Sequence, residues 1–98
     1  MLVRIIKSYR DTVAICDKEL LGKKFEEGKF QLDVKESFYG GEKKTEKEAI
    51  EIMRNFAIED ATFNIVGEKS VHAAIKAGII TEDGFGEIGG VKFALVLL

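Results

Sequence analysis

The chain has no proline and no tryptophan, and only one cysteine, one histidine and two methionines among its 98 residues. A lone cysteine, Cys16, excludes an intramolecular disulfide. A lone histidine, His72, leaves no His/Cys cluster for a structural zinc domain. No apolar run reaches the roughly 18 residues that would suggest a transmembrane helix. The N-terminal Met1-Leu2-Val3-Arg4-Ile5-Ile6-Lys7 mixes charge with β-branched residues and lacks the parts of a signal peptide. The expected compartment is therefore cytoplasmic. Neither sign of charge dominates. Fifteen Lys+Arg against seventeen Asp+Glu give a net charge of −2, which argues against strong non-specific nucleic-acid binding but allows a local basic patch.

What is present fits one domain with one real core. A chain of this length buries roughly 60–70% of the surface its unfolded form exposes, and 46% of its residues are hydrophobic. Charged residues make up 33%, mostly Lys and Glu, while Asn, Gln, Cys and Met are sparse. That bias resembles thermophile composition, although the lack of proline runs against it.

Periodicity places the elements. Leu2–Tyr9 and Thr12–Cys16 alternate around a polar turn and read as a β-hairpin. Asp17 is positioned to cap a short helix, Lys18–Leu21, ended by Gly22. Lys23–Gly28 is charged and reads as a loop or a frayed helical turn. Phe30, Leu32 and Val34 alternate as a half-buried strand. Ser37–Lys44 is a loop containing Gly40 and Gly41, and Thr45 with Glu48 forms a capping box for a helix running to about Ala57. Ala61–Val66 is a strand, Glu68–Ala77 a helix stopped by Gly78, and Ile79-Ile80 the start of another strand. Thr81–Gly90 is a glycine-rich loop. Val91–Leu98 is apolar apart from Lys92 and reads as a central strand covered on both faces. The expected fold is a single α+β domain: a mixed β-sheet with an N-terminal hairpin and two main packed helices.

Candidate chemistry lies at two glycine junctions. Asn64-Ile65-Val66-Gly67-Glu68-Lys69-Ser70 is a strand that turns directly into a helix, exposing N–H groups near Glu68, Lys69 and Ser70 where an anion can bind. The same shape is also plain architecture. The loop Phe38-Tyr39-Gly40-Gly41, followed by Lys43 and Lys44, mixes aromatic, glycine and basic residues, a set suited to stacking a base and holding a phosphate. The competing reading has Phe38 anchoring the loop. Gly84-Phe85-Gly86-Glu87-Ile88-Gly89 spells G-x-G-x-x-G, but a strand follows it and not a helix, so a hairpin loop is the better reading. Cys16 and His72 are a conceivable nucleophile–base pair, though Asp17 should raise the thiol pKa, which favours a structural thiol. Glu68 and His72, four apart, can meet; they could hold part of a metal site, but the third ligand is lacking, so an ion pair at the helix start is the better reading. No metal site or cofactor is expected.

Four segments carry a family resemblance: Cys16-Asp17-Lys18-Glu19-Leu20-Leu21-Gly22-Lys23, Ser37-Phe38-Tyr39-Gly40-Gly41, Asn64-Ile65-Val66-Gly67-Glu68-Lys69-Ser70-Val71 and Gly89-Gly90-Val91. In order and spacing they resemble a small archaeal family, domain of unknown function 424. The resemblance implies an archaeal setting and tilts the expected partners towards RNA, ribosomal or translation proteins. It assigns no reaction, cofactor or catalytic residue.

The expectation is a non-catalytic binding module, with Tyr39 stacking, Lys43 and Lys44 neutralising phosphate, and the amides at Glu68–Ser70 positioning an anion. The alternatives are a small enzyme using Cys16 or His72, and a homo-oligomer joined through the strand edge of the hairpin Leu2–Cys16.

Overall fold

The computed structural model describes residues 1–97. Among the described residues, eight strands and three α-helices follow in the order β1 (Leu2–Ile6), β2 (Thr12–Cys16), β3 (Lys24–Glu27), β4 (Phe30–Asp33), α1 (Glu36–Tyr39), β5 (Glu42–Lys43), α2 (Glu46–Ile58), β6 (Thr62–Val66), α3 (Glu68–Lys76), β7 (Gly86–Ile88) and β8 (Val91–Val96). Six of the strands form a mixed sheet in the order β5-β1-β2-β6-β8-β7, and β3-β4 form a separate two-stranded sheet. The fold is α+β. The β2–β6 pair is parallel, with α2 in the crossover between them, whereas β1–β2, β6–β8 and β7–β8 are antiparallel.

The period of two sorts the strands onto two cores. Val3, Val13, Ile15, Phe63, Ile65 and Ala94 face Ala49 and Met53 of α2 and Val71, Ala73 and Ala74 of α3. Leu2, Ala14, Cys16 and Val66 face the other way, under Val34, Tyr39 and the β3–β4 hairpin residues Phe25 and Leu32. The helices sit on this sheet because their apolar residues recur at helical spacing. Helix α2 begins at the expected capping box: Thr45 Oγ1 accepts from Glu48 N–H at 3.2 Å and Glu48 Oε1 accepts from Thr45 N–H at 2.9 Å. Gly78 takes the left-handed conformation (φ +79°) just past α3, as its stop position required.

Several expectations change. The first strand ends at Ile6, and Ser8 to Arg10 bend where Ser8 Oγ and Ser8 N–H bond Arg10 C=O and the Asp11 carboxylate. Lys23–Gly28 is largely a strand, β3, because Phe25 finds a core position that its charged neighbours conceal in the sequence. Phe30 is 69% exposed at the tip of that hairpin and lies outside the main sheet. Ile79 and Ile80 form a bend; the extra strand is Gly86–Ile88, inside the glycine-rich loop. Ile88 is buried and Phe85 packs on the helix-side core, which agrees with the hairpin reading of that loop. Strand β8 lies inside the sheet order, yet Leu95 and Leu97 are exposed, so the expectation of cover on both faces is corrected for its second half. Leu98 lies outside the described residues.

Candidate functional site

One row of strand partners crosses the sheet: Lys43, Leu2, Cys16, Val66, Phe93 and Gly86 stand in register. This row marks the end of the sheet where the parallel strands β2 and β6 both terminate. The two glycine junctions therefore share one end of the molecule. Three strand spacings, roughly 14 Å, separate them along the row.

At the β6–α3 junction the helix cap residue is Gly67, which has no side chain to offer the first-turn amides. Asp17, the residue that follows β2, supplies one. Its carboxylate accepts from Lys69 N–H at 3.1 Å, Ser70 N–H at 2.8 Å and Ser70 Oγ–H at 2.8 Å. Asp17 N–H in turn donates to Val66 C=O at 3.0 Å, and Gly67 N–H to Lys92 C=O at 2.8 Å. Asp17 is 4% and Ser70 0% exposed. A buried carboxylate with three donors is the arrangement that makes burial of its charge tolerable. Gly67 has φ +109°, and a Cβ there would lie 2.3 Å from the Asp17 carboxyl carbon. Only glycine fits both the angle and the approach.

This geometry corrects two expectations. Asp17 makes no side-chain cap to the Lys18–Leu20 turn; it caps α3, more than fifty residues away. The N–H groups of Lys69 and Ser70 are therefore not open to an outside anion, because the protein's own carboxylate occupies them. Gly67 and Ser70 are buried structural positions, while Glu68 and Lys69 reach the surface. Asn64 is half-buried in mid-sheet, between Ala14 and Leu95.

The Phe38–Lys44 loop divides similarly. Tyr39 is 7% exposed, and burial lifts its hydroxyl pKa to about 12. Phe38 meets it edge-on, with ring centroids 4.9 Å apart. The expectation of Tyr39 as an open stacking ring is corrected: both rings anchor the loop. Gly41 is needed because a Cβ would come 2.2 Å from Val3 O, where the loop presses on β1. Gly40 C=O accepts from Arg4 Nη1 at 3.3 Å. Lys43 is exposed, and Lys44 pairs with Glu42 at 3.1 Å.

Cys16 is fully buried, on the sheet face opposite the α3 core. Burial first, and the neighbouring Asp17 charge second, push its thiol up to about 11. His72 is exposed on α3. The thiol and the imidazole thus belong to different environments. Glu68 pairs with Lys92 at 3.5 Å, which corrects the expected Glu68–His72 pair. Among the described residues no group of three or more His, Cys, Asp or Glu is placed to hold a metal ion, and no helix is long and apolar enough to cross a membrane.

One concave feature at this end is a cleft of about 490 Å³ around the start of α3, lined by Met1, Glu46, Glu68, Lys69, Val71, His72, Ile75, Phe85 and Lys92. A smaller hollow of about 250 Å³ shares Glu68, Lys69 and Lys92 and continues to Asp17, Glu19 and Gly90. Met1, Val71, Ile75 and Phe85 supply apolar wall; Lys69, Lys92 and His72 face Glu46 and Glu68 around the charged rim. Lys92 Nζ lies 5.1 Å from the Phe85 ring centroid, a cation–π distance. Glu46 is held by Lys76 at 2.9 Å, and this hydrogen-bonded pairing keeps its carboxyl below the usual range. Met1 ties the cleft to the loop: its ammonium donates to Lys44 C=O at 3.2 Å, and Lys44 N–H to Met1 C=O at 2.8 Å. Sequence reasoning singled out Glu68 and Lys69 but missed Met1, Glu46, Phe85 and Lys92 as cleft residues. Lys92 had a visible signal, as the one charge in an apolar strand.

An antiparallel-edged mixed sheet with α2 and α3 on one face and α1 with a short hairpin on the other defines a small α+β class with a concavity at the strand ends. Within that class, the chain belongs to the family described as "Protein of unknown function (DUF424)", which it matches over residues 7–98. It is similar to the crystal structure of an uncharacterized conserved protein from Methanopyrus kandleri, with 28% sequence identity, a TM-score of 0.88, and coverage of 97% of this chain and 88% of that one. No curated protein matches.

Proposed function

We propose that this protein is a non-catalytic binding module, and that its ligand sits in the cleft around the start of α3. The cleft geometry carries the reading: apolar walls inside a rim of both charge signs, held by a helix whose own N-terminus is already neutralised from within. Such a rim matches a ligand with an apolar body and charges of both signs, such as a short peptide segment. RNA or a translation protein is the second reading. Lys43 and Lys69, both exposed at this one end of the sheet, favour it. The buried Tyr39 takes away its stacking ring. The lone buried thiol suits a cytoplasmic setting, and the Lys/Glu bias suits a thermophile and an archaeal source.

Amide chemical-shift mapping separates the readings. Titration with a library of short peptides should move the resonances of Lys69, Val71, His72, Phe85 and Lys92, and Lys92→Ala should abolish the response. Titration with single-stranded RNA that instead moves Lys43 and Lys69, with a steep salt dependence lost in Lys43→Ala/Lys69→Ala, would replace the peptide reading with the RNA one. Silence in both titrations would reject the cleft as a binding site for either class.

A further inference from the structure

The cleft carries an uneven charge once its internal pairs are taken out. Glu46 is paired with Lys76 at 2.9 Å and Glu68 with Lys92 at 3.5 Å. Both acids that line the cleft therefore already have a cation. Lys69 lines it too and has no ion-pair partner among the described residues. Glu19 lines the adjoining smaller hollow, not the cleft, and the Asp17 carboxylate there is bound to the α3 amides. The charge left unmatched is positive. It also has a place. Lys69 and Lys92 line both hollows and so mark the end of the cleft where the two meet. Val71 and Ile75, one turn apart on α3, form an apolar wall that runs away from that end. Ile75 lies beyond Lys69 by about 9 Å along the helix axis. Met1 and Phe85 face the same space. By contrast, the hairpin edge expected at Leu2–Cys16 is reduced, since β2 is interior and β5 pairs with Leu2 and Val3 of β1.

We infer that the cleft holds its peptide by an acidic side chain set among apolar ones, with the carboxylate at Lys69 and Lys92 and the apolar residues along Val71 and Ile75. This rests on the cleft reading proposed above and adds the sign of the anchoring charge. A basic anchor is disfavoured. To reach Glu46 or Glu68 it must displace Lys76 or Lys92, and near Glu68 it also meets the charge of Lys69. A carboxylate displaces nothing and meets a cation that has no other partner. Lys92 Nζ, already over the Phe85 ring, ties the charged end to the apolar wall. A pair this exposed is modest in strength and screened by salt, so it sets which peptide is preferred, while the wall supplies the apolar burial common to all of them.

Three pools of end-blocked tetrapeptides test the inference. Each carries Leu, Ile, Val or Phe at three positions, and the remaining position is Asp, Asn or Lys. Binding is read from the amide shifts of Lys69, Val71, His72, Phe85 and Lys92. The Asp pool should bind about fivefold more tightly than the Asn pool, and the Lys pool more weakly than either. Raising the salt from about 0.01 M to about 1 M should remove most of that preference. Lys69→Gln keeps the backbone N–H that Asp17 needs, and it should remove the preference for Asp over Asn. Equal binding of the Asp and Asn pools would overturn the inference and leave the cleft reading standing. So would a Lys pool that binds as tightly as the Asp pool, or an Asp preference that survives Lys69→Gln. Amides unmoved by any pool would overturn the inference and the cleft reading together.

Discussion

The two long helices start in opposite ways. Helix α2 is capped by its own neighbours: Thr45 and Glu48 exchange hydrogen bonds within four residues, on an exposed turn. Helix α3 is capped from across the chain by Asp17, which reaches Lys69 and Ser70 from the end of β2 and is buried. The first cap belongs to the helix. The second belongs to the tertiary fold, since it welds the ends of β2 and β6 to the helix that leaves β6. A local cap fails locally when broken, whereas a buried, long-range cap should fail with the whole domain.

Asp17→Ala is accordingly the largest expected effect. It strips one acceptor group from two backbone N–H groups and the Ser70 hydroxyl, at a position water cannot easily reach. The cost should be about 3 kcal/mol or more, or roughly 15 °C in midpoint for a domain of this size, read by thermal denaturation. Gly67→Ala should match it, because the new methyl collides with the Asp17 carboxylate and the φ of +109° is strained for alanine. If either variant melts within about 2 °C of the parent, the buried cap is not structural in this sense.

The next effect is a pH dependence from Cys16, beside that junction, and Tyr39 of the Phe38–Lys44 loop. Cys16 rises from 9.0 to about 11 and Tyr39 from 10.0 to about 12, both chiefly through burial. Groups whose folded pKa is raised hold their protons more tightly in the folded state. Their contribution is complete below pH 9.0 and is lost as pH rises through 11 and 12. By pH 11 the loss is on the order of 2 kcal/mol through Cys16 and 1 kcal/mol through Tyr39. Urea denaturation between pH 8 and 11 should show stability falling. Asp17→Asn sharpens the test: without the neighbouring negative charge, the Cys16 thiolate should appear at lower pH, seen by ultraviolet absorbance. A Cys16 titration unchanged by that substitution would mean the Asp17 charge does not reach the thiol.

The same local–distant contrast explains what could be read in the sequence. The capping box, the apolar stripe of α2, the Leu2–Cys16 hairpin and the α+β class were legible because each is written within a few residues or a simple period. Asp17's partner was not, because nothing local links it to Ser70. In hindsight a faint signal exists: the helix after Gly67 has no Ser, Thr, Asp or Asn at its cap, so its acceptor had to come from elsewhere. Burial misled in both directions. The polar pair Asp17 and Ser70 lies deep, while Leu95 of the apolar β8 and Leu97 just past it lie in the open, because cover depends on where β7 stops. The cleft was half legible: Glu68 and Lys69 were found through their helix, whereas Met1, Glu46 and Phe85 arrive from three other segments that only the fold assembles.

The smallest effect belongs to the local cap. Thr45→Ala removes the acceptor of Glu48 N–H and should cost about 1 kcal/mol, since water can replace the lost bond on an exposed turn. Its signature should be regional: faster amide exchange in the first turn of α2, at Lys47 and Glu48, with the β2–β6 pair protected as before, against a collapse of protection everywhere in Asp17→Ala. The Glu48 carboxyl is held below its ordinary value by its bonds to Thr45. A lowered carboxylate pKa contributes stability above 4.5 that is lost as pH falls through the folded value, so Glu48→Gln should flatten the acid limb of the stability curve slightly and leave the alkaline limb alone. Equal, global loss of protection in Thr45→Ala would erase the distinction between the two caps, and would mean that α2 is tied to the sheet as tightly at its first turn as α3 is through Asp17.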